Sequence, residues 1–548
     1  MDAAVNVDLL FQFVVQISVG AQAVRALRLE VLHVDLSRDA LVAVLHAGCP
    51  LAYLNALNPR ARHVAQRVGQ AGSSEVGHIF GEHLHVRAAQ PKEFEGYYLK
   101  NWNPDAPKDM VVYGWHHIVS EDNRNFIETP TNIHGGTGSI LKVNGLYHMF
   151  YCTFDQEPQA QWARHATSTD LVHWTDIPEE KFTADGEIYR MSDWRDPFVF
   201  WNEEEQKWWM LLAARENGAT ERNGCVALCV SDDLAHWEYR RPLYAPRTHQ
   251  GAYECPDFFK MGDWYYLVYS SYTDGFSTYY RMSRSPKGPW LKPRVDTFDG
   301  RAFYAAKTGT DGKDRFIYGW NPTRGENGWG FDPGNDFGKD YQTWNWGGSI
   351  VVHKILQHED GTLGVCPVDS VANAFVRSEE IHAEGLTGTW TKDHNSLSCC
   401  SEYGYSAALA QKIPEQCCIR ATLKYTGEPS RFGLALQVDE KFDFGYYLMF
   451  EPDFNRIQFR SGLRMYEQGG QMFPYAVEME RPLTLETDKE YELALYIQDT
   501  IAVLYVNNDV AFGFRMYNYQ GRSLGFFVSE GNLEVKDAVI MTEQGRNI

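Results

Sequence analysis

Lysine and tryptophan are missing from the first 91 residues, and no aspartate occurs between Asp39 and Asp105. Seven Arg balance seven acids in that stretch, so nearly all of the chain's net charge of −21 arises downstream. The segment is rich in Ala, Val, Leu, Arg and His without sustained strand alternation, and Ala21 to Val34 fits an amphipathic helix. Two readings follow for residues 1–91: a helical or disordered appendage, or a mis-called start that is not the natural beginning of the protein. The second is favoured by an omission in the site chemistry. Elsewhere too, absences narrow the field. No apolar run approaches the roughly 20 residues of a spanning helix. The apolar stretch Leu9 to Val19 is preceded by Asp2 and Asp8 with no Lys or Arg, which is wrong for a secretory leader. Ten cysteines show no even framework, and the adjacent pairs Cys399-Cys400 and Cys417-Cys418 suit ordinary disulfides poorly. A reducing, cytoplasmic setting is expected. With 72 acidic against 51 basic residues, nucleic acid and anionic membrane would be repelled.

What is abundant is aromatic: 14% of the chain, with 16 Trp and 31 Tyr, fitting both an all-β core and a surface that stacks on sugar rings. From Phe94 onward a motif recurs. Ser120 to Phe126, Ser168 to Trp174 and Ser231 to Trp237 share one frame, and Ser283 to Trp290 is a looser copy, at intervals of 48, 63 and 52 residues. Aromatic strands accompany each copy: Gly145 to Tyr151, Lys207 to Leu212, Asp263 to Tyr269 and Arg315 to Trp320. Repeats of this period indicate four-stranded blades arranged radially. With Gly96 to Leu99 as a remnant of a first blade, the count is five. After Val368 the repeat stops. Glu490 to Ile497 and Ile501 to Val506 alternate, and Asn507-Asn508-Asp509 turns the chain back near Ala511, as in a β-sandwich. The expected architecture is therefore all-β: an atypical segment 1–91, a five-bladed β-propeller over 92–368, a connection over 369–388 and a β-sandwich over 389–548.

Propellers converge acids from different blades on a central funnel. In Trp194-Arg195-Asp196-Pro197, Pro197 suits a strand entrance and Arg195 can hold Asp196 ionised. In Tyr253-Glu254-Cys255-Pro256-Asp257, a carboxyl hemmed by apolar neighbours would have a raised pKa, making Glu254 a candidate general acid and Asp257 a structural residue. His134 to Ser139 is Gly-rich but is followed by no Lys and no helix, so a close approach of backbone to sugar fits better than a phosphate cradle. Cys225 and Cys229 read as core thiols, and His116 and His117 point to opposite faces of a strand. No metal and no cofactor is expected.

Together, Arg195-Asp196-Pro197, Glu254-Cys255-Pro256-Asp257, Gly319-Trp320 and Trp346-Gly347-Gly348 resemble glycoside hydrolase family 32, the invertases, fructanases and levanases, over about residues 94 to 545. The resemblance implies a five-bladed propeller plus sandwich that cleaves β-fructofuranosyl bonds with retention. It implies Asp196 as transition-state stabiliser and Glu254 as acid/base. Trp115, Thr137, Arg195 and Trp320 would contact the sugar, and the partner would be a small or oligomeric fructoside. It also implies a nucleophilic Asp some fifteen residues before Gly96, where none stands; Glu82 and Glu93 are the nearby acids. Gly136 and Ala302 depart from the family pattern, at positions that bear on the leaving group. Rival readings are an inverting five-bladed arabinosidase or xylosidase, a non-catalytic fructoside-binding protein, and a scaffold for protein partners.

Overall fold

The computed structural model describes residues 115–543 together with the strand His78–Phe80, except positions 134, 156–158, 219, 249, 302, 326–339, 341–342 and 462–476. The expectations for Ala21 to Val34, for the strand at Gly96 to Leu99 and for Glu82 and Glu93 lie outside the described residues.

Four small antiparallel sheets follow one another in a propeller-like arrangement, each built from consecutive strands. The first holds Gly136–Val143, Leu146–Asp155, Ala160–Ser168 and Thr175–Asp176. Tyr189–Asn202, Lys207–Glu216, Gly224–Ser231 and Glu238–Tyr244 form the next, and Glu254–Met261, Trp264–Ser271 and Ser277–Ser283 the third. The fourth comprises Tyr304–Thr310, Arg315–Gly325, Thr343–Gln357 and Leu363–Pro367. A further sheet pairs His78–Phe80, His116–Val119 and Ile127–Pro130. The four aromatic runs picked out in the sequence all lie in the second strand of their sheet, where the preceding turn fixes the register. At Asn144-Gly145 both residues take positive φ (50° and 87°), the geometry of a two-residue hairpin turn.

The recurring Ser-x-Asp motif is a hydrogen-bonded turn. Ser168 Oγ accepts the amides of Asp170 and Leu171, and Asp170 accepts those of Val172 and His173. Ser231 and Asp233 repeat the pattern, as do Ser120 and Asp122. The bonds hold Leu171 and Leu234 at φ 67° and 70°, a left-handed conformation that costs about 1–2 kcal/mol. Ser283 shows the looser form, accepting the amide of Ser285.

Beyond Pro367 comes one 13-stranded sheet. Its long strands Ser396–Lys412 and Ser523–Glu543 pair with each other along most of their length, and the sheet encloses an apolar core that includes Leu434, Phe450, Leu504 and Phe526. The stretch 369–388 is more than a connection: after a short helix, Asp369–Ala372, the strands Phe375–Glu380 and Glu384–Thr387 already pair with the long strands. Their faces hid them, because in Phe375–Glu380 only the phenylalanine is buried and no alternation marks the strand.

Buried polar groups join the small sheets to the large one. His353 lies between Tyr505 Oη (2.7 Å) and Asp299 Oδ2 (3.0 Å), and Asp299 Oδ1 accepts the Gly513 amide at 2.6 Å. Arg481 donates to the Asp299 carbonyl at 2.7 Å. Burial pushes the Asp299 carboxyl upward, but its bond to His353 and the attraction between them outweigh this and hold it below the ordinary range. Asp299→Ala should lower unfolding stability by about 2–4 kcal/mol at neutral pH, read from urea denaturation. The wild-type advantage should fade as pH falls through the depressed aspartate value.

Candidate active site

The site grows from a defect repeated in four strands. The first strands of successive sheets touch one another, and each carries a break in register. The breaks fall between Gly136 and Gly138, Arg195 and Phe198, Glu254 and Asp257, and Tyr304 and Lys307. Three of them contain a residue with left-handed backbone: Asp196 (φ 58°), Cys255 (50°) and Ala305 (51°). Such bulges re-aim side chains, and non-glycine residues in this region store about 1–3 kcal/mol each. Pro197 and Pro256 follow two of these residues inside their strands. The expectation that Pro197 opens a strand is thus corrected: Tyr189–Asn202 begins well before it, and the bulge, which needs no ladder donor, accommodates the ring.

The residues just before the last three breaks meet. Arg195 Nη2 donates to Glu254 Oε1 at 2.8 Å, and the Tyr304 hydroxyl donates to Glu254 Oε2 at 2.5 Å. Arg195 also lies 3.1 Å from Asp193 Oδ1, with its Nε 3.9 Å from Asp196 Oδ2. Asp196 Oδ2 accepts the Cys255 amide at 2.9 Å. The two acids singled out in the sequence are therefore tied together, Asp196 to the backbone of the residue after Glu254. Both are buried, at 4% and 5% exposure. Tyr272, 44% exposed, stands close enough for the Glu254 charge to raise its hydroxyl pKa, after burial has done so.

Burial pushes the Glu254 carboxyl above the ordinary glutamate range; Arg195 opposes this, Asp196 adds to it, and the Tyr304 bond opposes it again. The direction agrees with the expectation but the surroundings do not: Glu254 sits against a guanidinium and a phenol as well as apolar groups. Beneath it, Asp257 is fully buried and accepts the Thr308 amide at 2.5 Å, as suits a structural acid. Lys307, also fully buried, donates to the Pro256 carbonyl at 2.5 Å and pins the turn that presents the Cys255 amide. Burial pulls the Lys307 pKa down, and the nearby Cys255, Asp257 and Asp196 act the other way.

The remaining expected residues divide. Trp320, fully buried, packs its ring 5.4 Å from that of Tyr304, behind the acid. Trp115 is also fully buried and donates its indole N–H to the Gly136 carbonyl at 3.0 Å, so it braces the first break rather than offering an open face. Thr137 lies within that break at 9% exposure. Opposite Gly136 on the paired strand is Cys152, whose thiol burial and the charge of Asp196 push up to about 12. A side chain at position 136 would have to displace that sulfur, since a Cβ there would lie 2.7 Å from it. Tyr304, Asp193 and Lys307 escaped the sequence reading. A usable signal existed, because Gly136, Arg195 and Glu254 stand 59 residues apart, with Tyr304 a further 50 on.

Buried, bulge-borne carboxyls thus converge where the first strands of a propeller-like set of small sheets meet. Residues 91–328 match the glycosyl hydrolases family 32 N-terminal domain. That stretch, a little under half of the chain, is a glycoside hydrolase family 32 N-terminal domain. It is 22% identical to a levanbiose-producing levanase of Bacillus subtilis (strain 168) over 350 residues, which cover 48% of this chain and 64% of that protein. With a sucrose-6-phosphate hydrolase of Escherichia coli it shares 27% identity over 237 residues, 38% of this chain and 48% of the relative. Among solved structures, a family 32 beta-fructofuranosidase of Bombyx mori superposes with a TM-score of 0.56 at 16% identity, covering 92% of this chain and 99% of the other. A sucrose-6-phosphate hydrolase from Lactobacillus gasseri gives 0.55 at 15% identity, with 89% and 95% covered. At these identities the superpositions establish the fold.

Because the Tyr304 hydroxyl favours the ionised form of Glu254, Tyr304→Phe should raise the pH at which Glu254 loses its proton. The carboxyl 13C shift of Glu254, followed by NMR through a pH titration, is the readout; a midpoint that falls contradicts the assignment.

Proposed function

We propose that this chain cleaves β-fructofuranosyl bonds of sucrose or a fructan, with Glu254 as acid/base and Asp196 stabilising the positive charge that develops on the furanose ring. The observation that carries the reading is the junction of Arg195-Asp196 with Glu254-Cys255 across two sheets, with Arg195 on Glu254 and the Cys255 amide on Asp196. Burial favours the protonated form of Glu254, as a general acid requires. The names borne by the relatives, levanase and sucrose-6-phosphate hydrolase, point to fructosides as the substrate class. In this reading the sheet containing His78–Phe80 is the remaining blade of a five-bladed ring, and the large sheet is a two-layered sandwich.

Retention needs a nucleophilic carboxylate roughly 5–5.5 Å from the acid. The interval from Asp39 to Asp105 contains no aspartate to supply it, so turnover by this chain should be slow, and its handling of fructosides should show more in binding than in rate. Two measurements test the proposal: fructose release from sucrose, inulin and levan, and calorimetric titration with the same sugars. Any hydrolysis should fall at least 100-fold in Glu254→Gln, while sugar binding and thermal unfolding stay near wild type. A Glu254→Gln variant keeping more than about a tenth of the activity contradicts the acid assignment. Sugar binding with no release at all supports the second reading, a fructoside-binding protein.

A further inference from the structure

An arginine within 3 Å of a carboxyl ordinarily strips its proton by favouring the ionised form. Glu254 meets that condition, with Arg195 at 2.8 Å, and a general acid so placed would already be spent. Burial works against this, but the geometry holds a second counterweight. Arg195 is divided: the nitrogen that does not reach Glu254, Nη1, lies 3.1 Å from Asp193 Oδ1. Asp193 is on the same strand, two residues earlier, so its side chain returns to the same face. Its position is fixed by neighbours. Oδ2 lies 3.1 Å from the Ser192 hydroxyl and 3.8 Å from Arg215 Nη1 on the adjoining strand. Arg215 is held in turn by Asn223 at 2.9 Å and by Glu221 at 2.7 Å, and Glu221 binds Arg190 as well. Charges thus alternate from the buried Glu254 outward to the exposed Glu221.

We propose that Asp193 is a positioning residue that divides the Arg195 guanidinium and so preserves the proton on Glu254. The inference rests on the acid role given to Glu254 above. Asp193 satisfies half of the guanidinium and offsets part of its charge, leaving Arg195 able to orient Glu254 without holding it ionised. The other groups facing Glu254 are Asp196, Tyr304 and Tyr272, with the Cys255 thiol beside them. Asp193 is faced by Arg190, the Tyr272 hydroxyl and the Cys225 thiol in addition to its two arginine partners.

The test reads the proton directly and requires no turnover. In the full chain, the carboxylic C=O stretch of Glu254 is assigned by its disappearance in Glu254→Gln and followed by infrared difference spectroscopy against pH. Asp193→Asn, nearly isosteric, should lower the midpoint by at least about half a pH unit, while Asp193→Glu restores it. Arg215→Gln, which frees Asp193 to lean further on Arg195, should move the midpoint upward and gives an independent reading if Asp193→Asn does not fold. An unchanged or raised midpoint in folded Asp193→Asn, or an unchanged or lowered one in Arg215→Gln, overturns the proposal. Absence of fructoside hydrolysis and binding in the wild type would defeat the functional reading while leaving this titration interpretable.

Discussion

One guanidinium among three carboxyls governs this site. Arg195 touches Glu254 and Asp193 and approaches Asp196, and at 12% side-chain exposure there is little water to share the load. In such surroundings a full charge left unpaired is expensive, and so is a surplus of like charge. Arg215 beside Asp193 and Lys307 near Asp196 carry part of the load, and the surplus that remains favours a proton on one carboxyl. Glu254 is the one that burial and Asp196 both push toward the neutral form. Under the role proposed for Glu254, its readiness to hold a proton follows from this crowding of carboxyls as well as from burial.

That arrangement exists because the strands are imperfect. A regular strand would send Arg195 and Asp196 to opposite faces, and Glu254 and Cys255 likewise. The left-handed residue inside each bulge breaks the alternation, so that Arg195 reaches Glu254 while Asp196 reaches the Cys255 amide. The strain is repaid locally. Lys307, itself one residue past the equivalent bulge of the next sheet, holds the Pro256 carbonyl, and Asp257 takes the Thr308 amide of that sheet. Each bulge is thus braced by its neighbour, and the site residues are fixed by contacts running around the ring.

Much of this was legible in the sequence, for identifiable reasons. Two of the second strands announced themselves by aromatic runs after Asn144-Gly145 and Gly262-Asp263, and Glu490–Gln498 by the alternation of its first half; Ile501–Val506, expected to alternate, is instead buried on both faces. Asp196 and Glu254 stood out because Arg-Asp-Pro and Glu-Cys-Pro are rare constellations with a mechanical reading. Phe375–Glu380 did not, since a strand with one buried residue has no period. Tyr304 was passed over because an isolated Tyr in an aromatic-rich chain carries no signal until its partner is known. Trp115 was expected to contact the sugar; its pairing with the Gly136 carbonyl, 21 residues on, was not legible. A side chain's neighbours across sheets are set by tertiary closure, which local pattern does not encode.

Closure itself depends on the large sheet. The fourth small sheet contributes His353 to the buried chain from Tyr505 to Asp299, and Asn321 and Ser349 to Arg515, whose Nη2 donates to the Asn321 carbonyl at 3.2 Å and to Ser349 Oγ at 2.8 Å. Asn321 immediately follows Trp320, which backs Tyr304, which binds Glu254. These polar contacts lie beside an apolar seam in which Tyr280, Phe303 and Ile317 meet Tyr496, Val503 and Ala511, and they add less net stability than apolar contacts of equal area, because desolvation offsets most of the attraction. They add directionality instead, since hydrogen bonds weaken steeply when misaligned and so favour one register. The large sheet is thus linked to Glu254 through two side chains: it bonds the strand that carries Trp320, and Trp320 packs on the phenol that donates to the carboxyl.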